Sequence, residues 1–142
     1  MQVRKRNHTV YHAQYHIAWT TRFRRKILNK GVASYFKIKC KEVLSYYPDW
    51  EFVEIGTDKD HVHLHMWFPP TYDGCKVVET IKKNTSRSLQ QKFDFLSDVY
   101  WDDKGIWSSG FFFSTVGVDD DTIQQYVAMQ GREDVAQAKL EL

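Results

Sequence analysis

WEFVEIGTDKDHVHLHMWFPP, Trp50 to Pro70, is the segment on which the fold turns. Residues 50–56 are rich in β-branched and aromatic types, TDKD reads as a turn, and residues 61–68 form a second strand that Pro69 and Pro70 end. The two strands are expected to pair as a hairpin. Side chains alternate along a strand, so His61, His63 and His65 project from one face and Val62, Leu64, Met66 and Phe68 from the other. Half of this hairpin therefore belongs to a core, and its reverse carries three imidazoles two residues apart. A lone strand histidine is usually a packing or surface residue; three in alternation over an apolar back point to a metal or phosphate site.

Working outward, residues 10–20 (VYHAQYHIAWT) alternate with Tyr11, Ala13, Tyr15, Ile17 and Trp19 on one face, a first strand. From Gly31 to Tyr47, Val32, Phe36, Val43 and Leu44 fall at helical spacing until Pro48 stops the run. A second helix is expected from Lys76 to Phe95, with Val77, Ile81, Thr85 and Leu89 on one stripe and Lys82, Lys83 and Arg87 on its flank. FFFSTV (Phe111 to Val116) reads as a further strand closed by Gly117, and Asp119 to Thr122 offer N-caps for a last helix over about 120–139. The order β-α-β-β-α-β predicts an α+β fold: a ferredoxin-like or RRM-like antiparallel sheet with helices on one face, plus an added C-terminal helix.

With 142 residues and 42% hydrophobic content, the chain suits one domain spanning 1–142. No run of eighteen apolar residues occurs and the start, with Arg4, Lys5 and Arg6, lacks an apolar signal core, so a cytoplasmic protein with no membrane partner is expected. Cys40 and Cys75 form no CxxC pair and imply neither a disulfide framework nor a zinc knuckle. The net charge of +2 hides an asymmetry: residues 1–41 hold eleven Lys or Arg and no acid. A solvated face is the plain reading of one charge run, but forty residues without an acid favour a polyanion-facing surface.

Two chemistries fit the histidine strand. HVHLHMW satisfies the pattern of histidine-triad nucleotide hydrolases, in which a histidine attacks a nucleotide phosphate. DHVH also satisfies the shorter His-hydrophobe-His motif of single-strand DNA endonucleases, where the pair binds Mg²⁺ or Mn²⁺. On the last helix, QQYVAMQ sets Tyr126 and Gln130 four residues apart on one face, placed to deliver a nucleophile and a ligand together. Packing beside Ile123 and Val127 is the alternative role for Tyr126.

Four segments in order, YHIAWTTRFRRKIL (15–28), TDKDHVHLH (57–65), IWSSGFFFSTVG (106–117) and QYVAMQ (125–130), resemble the TnpA-type, IS200-like transposases of small insertion sequences, members of the HUH endonuclease superfamily. The resemblance spans nearly the whole chain. It implies metal-dependent cleavage and rejoining of single-stranded DNA at element ends through a 5′-phosphotyrosine, with Tyr126 as nucleophile and His61, His63 and Gln130 as ligands of Mg²⁺ or Mn²⁺. It further implies subterminal DNA hairpins as partners, a homodimer with composite active sites, and action near the nucleoid of a bacterium or archaeon. Arg22, Arg24, Arg25, Lys26, Lys82, Lys83 and Arg87 are then the DNA-contact candidates. Asn84 stands after Lys83 where the family often has Gly, and His65 lies outside the required pair. A histidine-triad hydrolase and a non-catalytic hairpin binder are the competing readings; the first has no counterpart to the STVG and YxxxQ segments.

Overall fold

The computed structural model describes residues 4–6, 9–11, 14–102, 104–115 and 120–141. Their elements are β1 (Arg4–Arg6), β2 (Thr9–Tyr11), β3 (Gln14–Thr20), a 3₁₀ turn (Arg22–Arg24), α1 (Lys30–Val43), β4 (Glu51–Thr57), β5 (His61–Trp67), α2 (Gly74–Lys92), α3 (Phe95–Val99), β6 (Phe112–Thr115) and α4 (Asp120–Glu141). β3 to β6 form one antiparallel sheet in the order β4-β5-β3-β6, the ferredoxin-like arrangement expected of the β-α-β-β-α-β pattern. The expected hairpin is β4–β5, with a bulge between Phe52 and Glu54.

The alternation of β5 decides which side each layer takes. Val62, Leu64 and Met66 are fully buried, and with Ile17 and Trp19 of β3 they meet Val32, Phe36, Cys40 and Val43 of α1 and Val77, Val78, Ile81 and Leu89 of α2. Trp19, Phe36 and Trp107 pack edge to face at 5.6 to 6.2 Å between ring centres. Truncating such a ring costs about 3–5 kcal/mol. The Trp107 indole N–H donates to Thr85 Oγ1 at 3.1 Å, which leaves this buried donor satisfied. Asn29 caps α1 by accepting from the Val32 amide, and Asp73 caps α2 by accepting from the Cys75 amide.

Three expectations need correction. The strand expected over 10–20 is two strands: β2 leaves the main sheet to pair with β1, whose charged RKR run carried no strand signal. Ala13 lies outside the described residues, as do Val116, Gly117 and Asp119. The second helix ends at Lys92, because Phe93 turns to extended backbone, where its ring packs on Tyr35 at 5.8 Å; α3 then carries Leu96 into the core. The first helix ends at Val43, four residues before Tyr47, and the chain continues as turns to Pro48.

The 3₁₀ turn after β3 is fixed by Arg22, whose guanidinium forks onto Asp102 at 2.7 and 2.5 Å and also donates to the Gly105 carbonyl at 3.1 Å. Hydrogen bonding from Arg22 holds the Asp102 carboxyl far below the usual carboxylate range. A depressed folded-state value stabilises the fold above the unfolded value near pH 4, and that stabilisation is lost as pH falls through the folded value. Asp102→Asn is expected to cost about 1 kcal/mol at pH 7, after allowance for solvent screening. In urea titrations across pH 2–7, the gap between variant and wild type should close progressively below about pH 4.

Candidate active site

Behind the apolar face of β5, His61, His63 and His65 are registered against Thr20, Ala18 and His16 of β3. The three rings are held differently. His61 is buried, with Nδ1 2.9 Å from Asp60 Oδ1, and Asp60 Oδ2 accepts from Arg24 Nε at 3.1 Å. Burial alone would raise the Asp60 carboxyl, but His61 and Arg24 outweigh it and leave it below its ordinary value. His63 is half-exposed and lies flat over Gly56, where any Cβ would overlap the imidazole. His65 Nε2 sits 2.5 Å from Gln14 Oε1 while its ring stacks on His16 at 4.6 Å.

The C-terminal helix covers the same side of the sheet. Ile123 and Val127 close over Ala18, the residue registered against His63, and the small methyl there lets the helix approach. Tyr126 packs at the margin of this contact with its ring 5.9 Å from Phe112. The packing role and the exposed nucleophile role are thus in tension: the Tyr126 hydroxyl is buried and meets no hydrogen-bond partner among the described residues. Burial first, then the Glu133 and Asp134 carboxylates, pushes its pKa well above the ordinary phenol value, so the phenol is neutral here.

Gln130, one turn on, is buried and donates to Asp134 Oδ1 at 3.3 Å. Asp134 is also buried; it accepts from Ser108 Oγ and from the Phe23 amide at 3.0 Å, and Ser108 Oγ accepts in turn from Thr20 Oγ1 at 2.9 Å. This carboxylate pins the helix to the end of β3. Beneath it, Gly110 adopts φ +81°, and a Cβ there would stand 3.8 Å from Gln130 Oε1 and 4.0 Å from the Tyr126 hydroxyl. Lys82 donates to the carbonyls of Ser108 and Gly110 at 2.7 Å each and so holds this loop; burial pushes its ammonium down to about 8.

The structure brings Tyr126 and Gln130 together over Gly110, and places His61 and His63 on the sheet face that the same helix covers. Among the described residues no hydrogen bond or ion pair joins one pair to the other, and no group of three His, Cys, Asp or Glu side chains is gathered for a metal. The basic candidates divide. Arg22 is tied to Asp102, Arg24 to Asp60 and Arg25 to the Val99 carbonyl, whereas Lys26, Lys83 and Arg87 are exposed. A cavity of about 390 Å³ opens between α2 and the 104–109 loop, lined in part by Lys82, Lys83, Lys104 and Trp107. Sequence reading missed Asp60, Ser108 and Asp134. The only signals for them were an acid directly before the histidine pair and an acid four residues after Gln130.

The family model described as "Transposase IS200 like" matches residues 9–130. A curated transposase for insertion sequence element IS200 from Salmonella typhimurium is 25% identical over 131 residues, covering 89% of this chain and 82% of the relative. The ISDra2 transposase TnpA of Deinococcus radiodurans is 23% identical and covers 92% of each chain. Among solved structures, a candidate transposase from Deinococcus radiodurans R1 superposes with a TM-score of 0.78 at 25% identity, covering 89% of this chain and 97% of that one. A REP-associated tyrosine transposase bound to a REP hairpin shares the fold, with a TM-score of 0.55 at 17% identity over 80% of this chain and 61% of that one.

The seat of His63 gives a direct check of the site geometry. Gly56→Ala should displace the imidazole while leaving the fold intact, because the added methyl meets a ring that can swing and not backbone. Side-chain ¹⁵N resonances should shift for His63 and stay in place for His65, with an unchanged far-ultraviolet circular dichroism spectrum.

Proposed function

The chain belongs to the IS200-like transposase family, and from that premise we propose that it cuts and rejoins single-stranded DNA at insertion-sequence ends, with Tyr126 as nucleophile and His61, His63 and Gln130 as the donors for Mg²⁺ or Mn²⁺. The observation that carries this reading is the seating of Tyr126 and Gln130 side by side over Gly110, on the helix that covers the histidine face. The donor set suits a divalent ion: His61 turns Nδ1 to Asp60 and so keeps Nε2 free, His63 is half-exposed beside it, and Gln130 adds an amide oxygen. Bound there, the ion would supply Lewis-acid activation of the scissile phosphate.

The remaining steps fall to the protein and the DNA. The Tyr126 hydroxyl loses its proton as its oxygen bonds to phosphorus; the bond from phosphorus to the 3′ oxygen breaks, and that oxygen leaves as a free 3′-OH. A 5′-phosphotyrosine remains. A 3′-OH can later attack it and return the phenol, so the phosphodiester is exchanged and no nucleotide fuel is needed. In the DNA-free chain the Tyr126 hydroxyl is buried, so it must become accessible to the DNA before attack. Lys26, Lys83 and Arg87 are the exposed cations for backbone phosphates, and Arg25 adds a partly committed one. Binding of subterminal hairpins is in keeping with the hairpin held by the REP-associated relative. A homodimer with composite active sites belongs to the same reading; within one chain, α4 already lies on its own sheet through Ala18.

With end-labelled single strands tiling both flanks of the gene and Mn²⁺ present, wild type should cleave and a chelator should stop it. Tyr126→Phe should lose all detectable cleavage while binding its hairpin at wild-type affinity. His61→Ala and His63→Ala should each weaken Mn²⁺ binding by at least about tenfold. Cleavage retained by Tyr126→Phe would sink the assignment. A nucleoside monophosphate released without metal and without Tyr126 would restore the histidine-triad alternative.

A further inference from the structure

We propose that Asp60 and Arg24 form a positioning pair that fixes the ring state of His61 and sets where the tyrosine helix rests. The proposal deepens the metal-site reading above and rests on it. Asp60 lies directly before His61, and its two oxygens face opposite ways: Oδ1 is 2.9 Å from His61 Nδ1, and Oδ2 receives Arg24 Nε and a terminal guanidinium nitrogen, both at 3.1 Å. A carboxylate bound to a guanidinium only accepts, so Nδ1 must carry the imidazole proton. In the neutral imidazole Nε2 is then the lone-pair nitrogen, the one able to bind a metal. The other two rings lack this support. The carboxylate nearest His63, that of the exposed Glu54, approaches its Nε2 at 3.8 Å, and His65 meets the neutral amide of Gln14, also through Nε2.

The backbone under Arg24 points to the same role. Phe23 and Arg24 are consecutive non-glycine residues in the left-handed region, at φ 58° and 51°. Both are backbone conformations that side chains bearing a Cβ adopt only when the surroundings hold them there. The turn is held by Asp134, which accepts from the Phe23 amide, and by the Thr21 carbonyl, which accepts from the Arg24 amide at 3.0 Å. Its effect is to send the Arg24 side chain between Asp60 and α4, where its methylenes lie against Gly131, next to Gln130; a Cβ at 131 would strike them. One side chain therefore touches both the support of a metal histidine and the helix carrying the nucleophile.

Asp60→Asn separates this role from a merely structural one. The amide oxygen is drawn to Arg24, so its NH₂ faces His61 Nδ1 and favours the tautomer protonated on Nε2. In the metal-free protein, long-range ¹H–¹⁵N spectra should show His61 protonated on Nδ1 in wild type and on Nε2 in Asp60→Asn. Mn²⁺ affinity, read by electron paramagnetic resonance, should fall about 10–100-fold. Arg24→Ala should speed amide exchange in α4 around Gly131 and leave the β3–β5 amides unchanged; Asp60→Ala, with no amide to misdirect the ring, provides a second measure of Mn²⁺ loss. The inference is overturned if Asp60→Asn keeps the Nδ1–H tautomer with Mn²⁺ affinity within twofold of wild type, or if exchange in α4 is unmoved by Arg24→Ala. Wild type that binds no Mn²⁺ would overturn the metal reading and this one together, whereas wild-type binding with unaffected variants would overturn this one alone.

Discussion

The register between β3 and β5 is the constraint on which the rest of the molecule depends. Pairing Thr20 with His61, Ala18 with His63 and His16 with His65 forces Ile17, Trp19, Val62 and Leu64 to the opposite face, where α1 and α2 bury them. A slip of one residue would exchange the two faces, putting imidazoles into the core and Trp19 into solvent. Hydrophobic burial of those four side chains therefore fixes the orientation of the histidines as firmly as it fixes the sheet. The site inherits its precision from the core and not from the loops around it.

That register also decides where α4 can sit. Ala18 is the small residue on the histidine face, and Ile123 and Val127 close over it. Burying three aliphatic groups is a modest hold for a helix of 22 residues. Asp134 supplies what packing lacks: a buried carboxylate shared among Gln130, Ser108 and the Phe23 amide, which becomes costly if any partner is removed. The result is a helix polar-pinned near Gln130 and held near Tyr126 by a small aliphatic contact, a distribution suited to the nucleophile role proposed for Tyr126.

Much of this was legible in the residues. The alternation of HVHLHMW predicted both faces of β5, and the 3.6-residue stripes of Val32/Phe36 and Val77/Ile81/Leu89 predicted the layer that covers one of them. What escaped reading depended on contacts between distant residues. Nothing local announces that Phe93 will pack on Tyr35 and break a helix, or that RKR will pair with TVY. The cluster Arg22, Arg24 and Arg25 looked like a phosphate-facing surface because its partners, Asp102, Asp60 and the Val99 carbonyl, lie 36 to 80 residues away. Asp134 fell outside every motif, since a buried carboxylate is recognised by the donors that surround it. The pair Tyr126 and Gln130 was visible through its i, i+4 spacing, but the burial of the phenol was not.

The central claim is that Tyr126 attacks a phosphodiester of single-stranded DNA with divalent metal present. Mass spectrometry of the denaturation-resistant protein–DNA adduct, formed with Mn²⁺ and single strands from the flanks of the gene, tests it most directly. The account predicts a nucleotide mass on the peptide bearing Tyr126, joined through a 5′ phosphate and absent when metal is chelated. An adduct on a histidine, or none despite confirmed metal and hairpin binding, would contradict it.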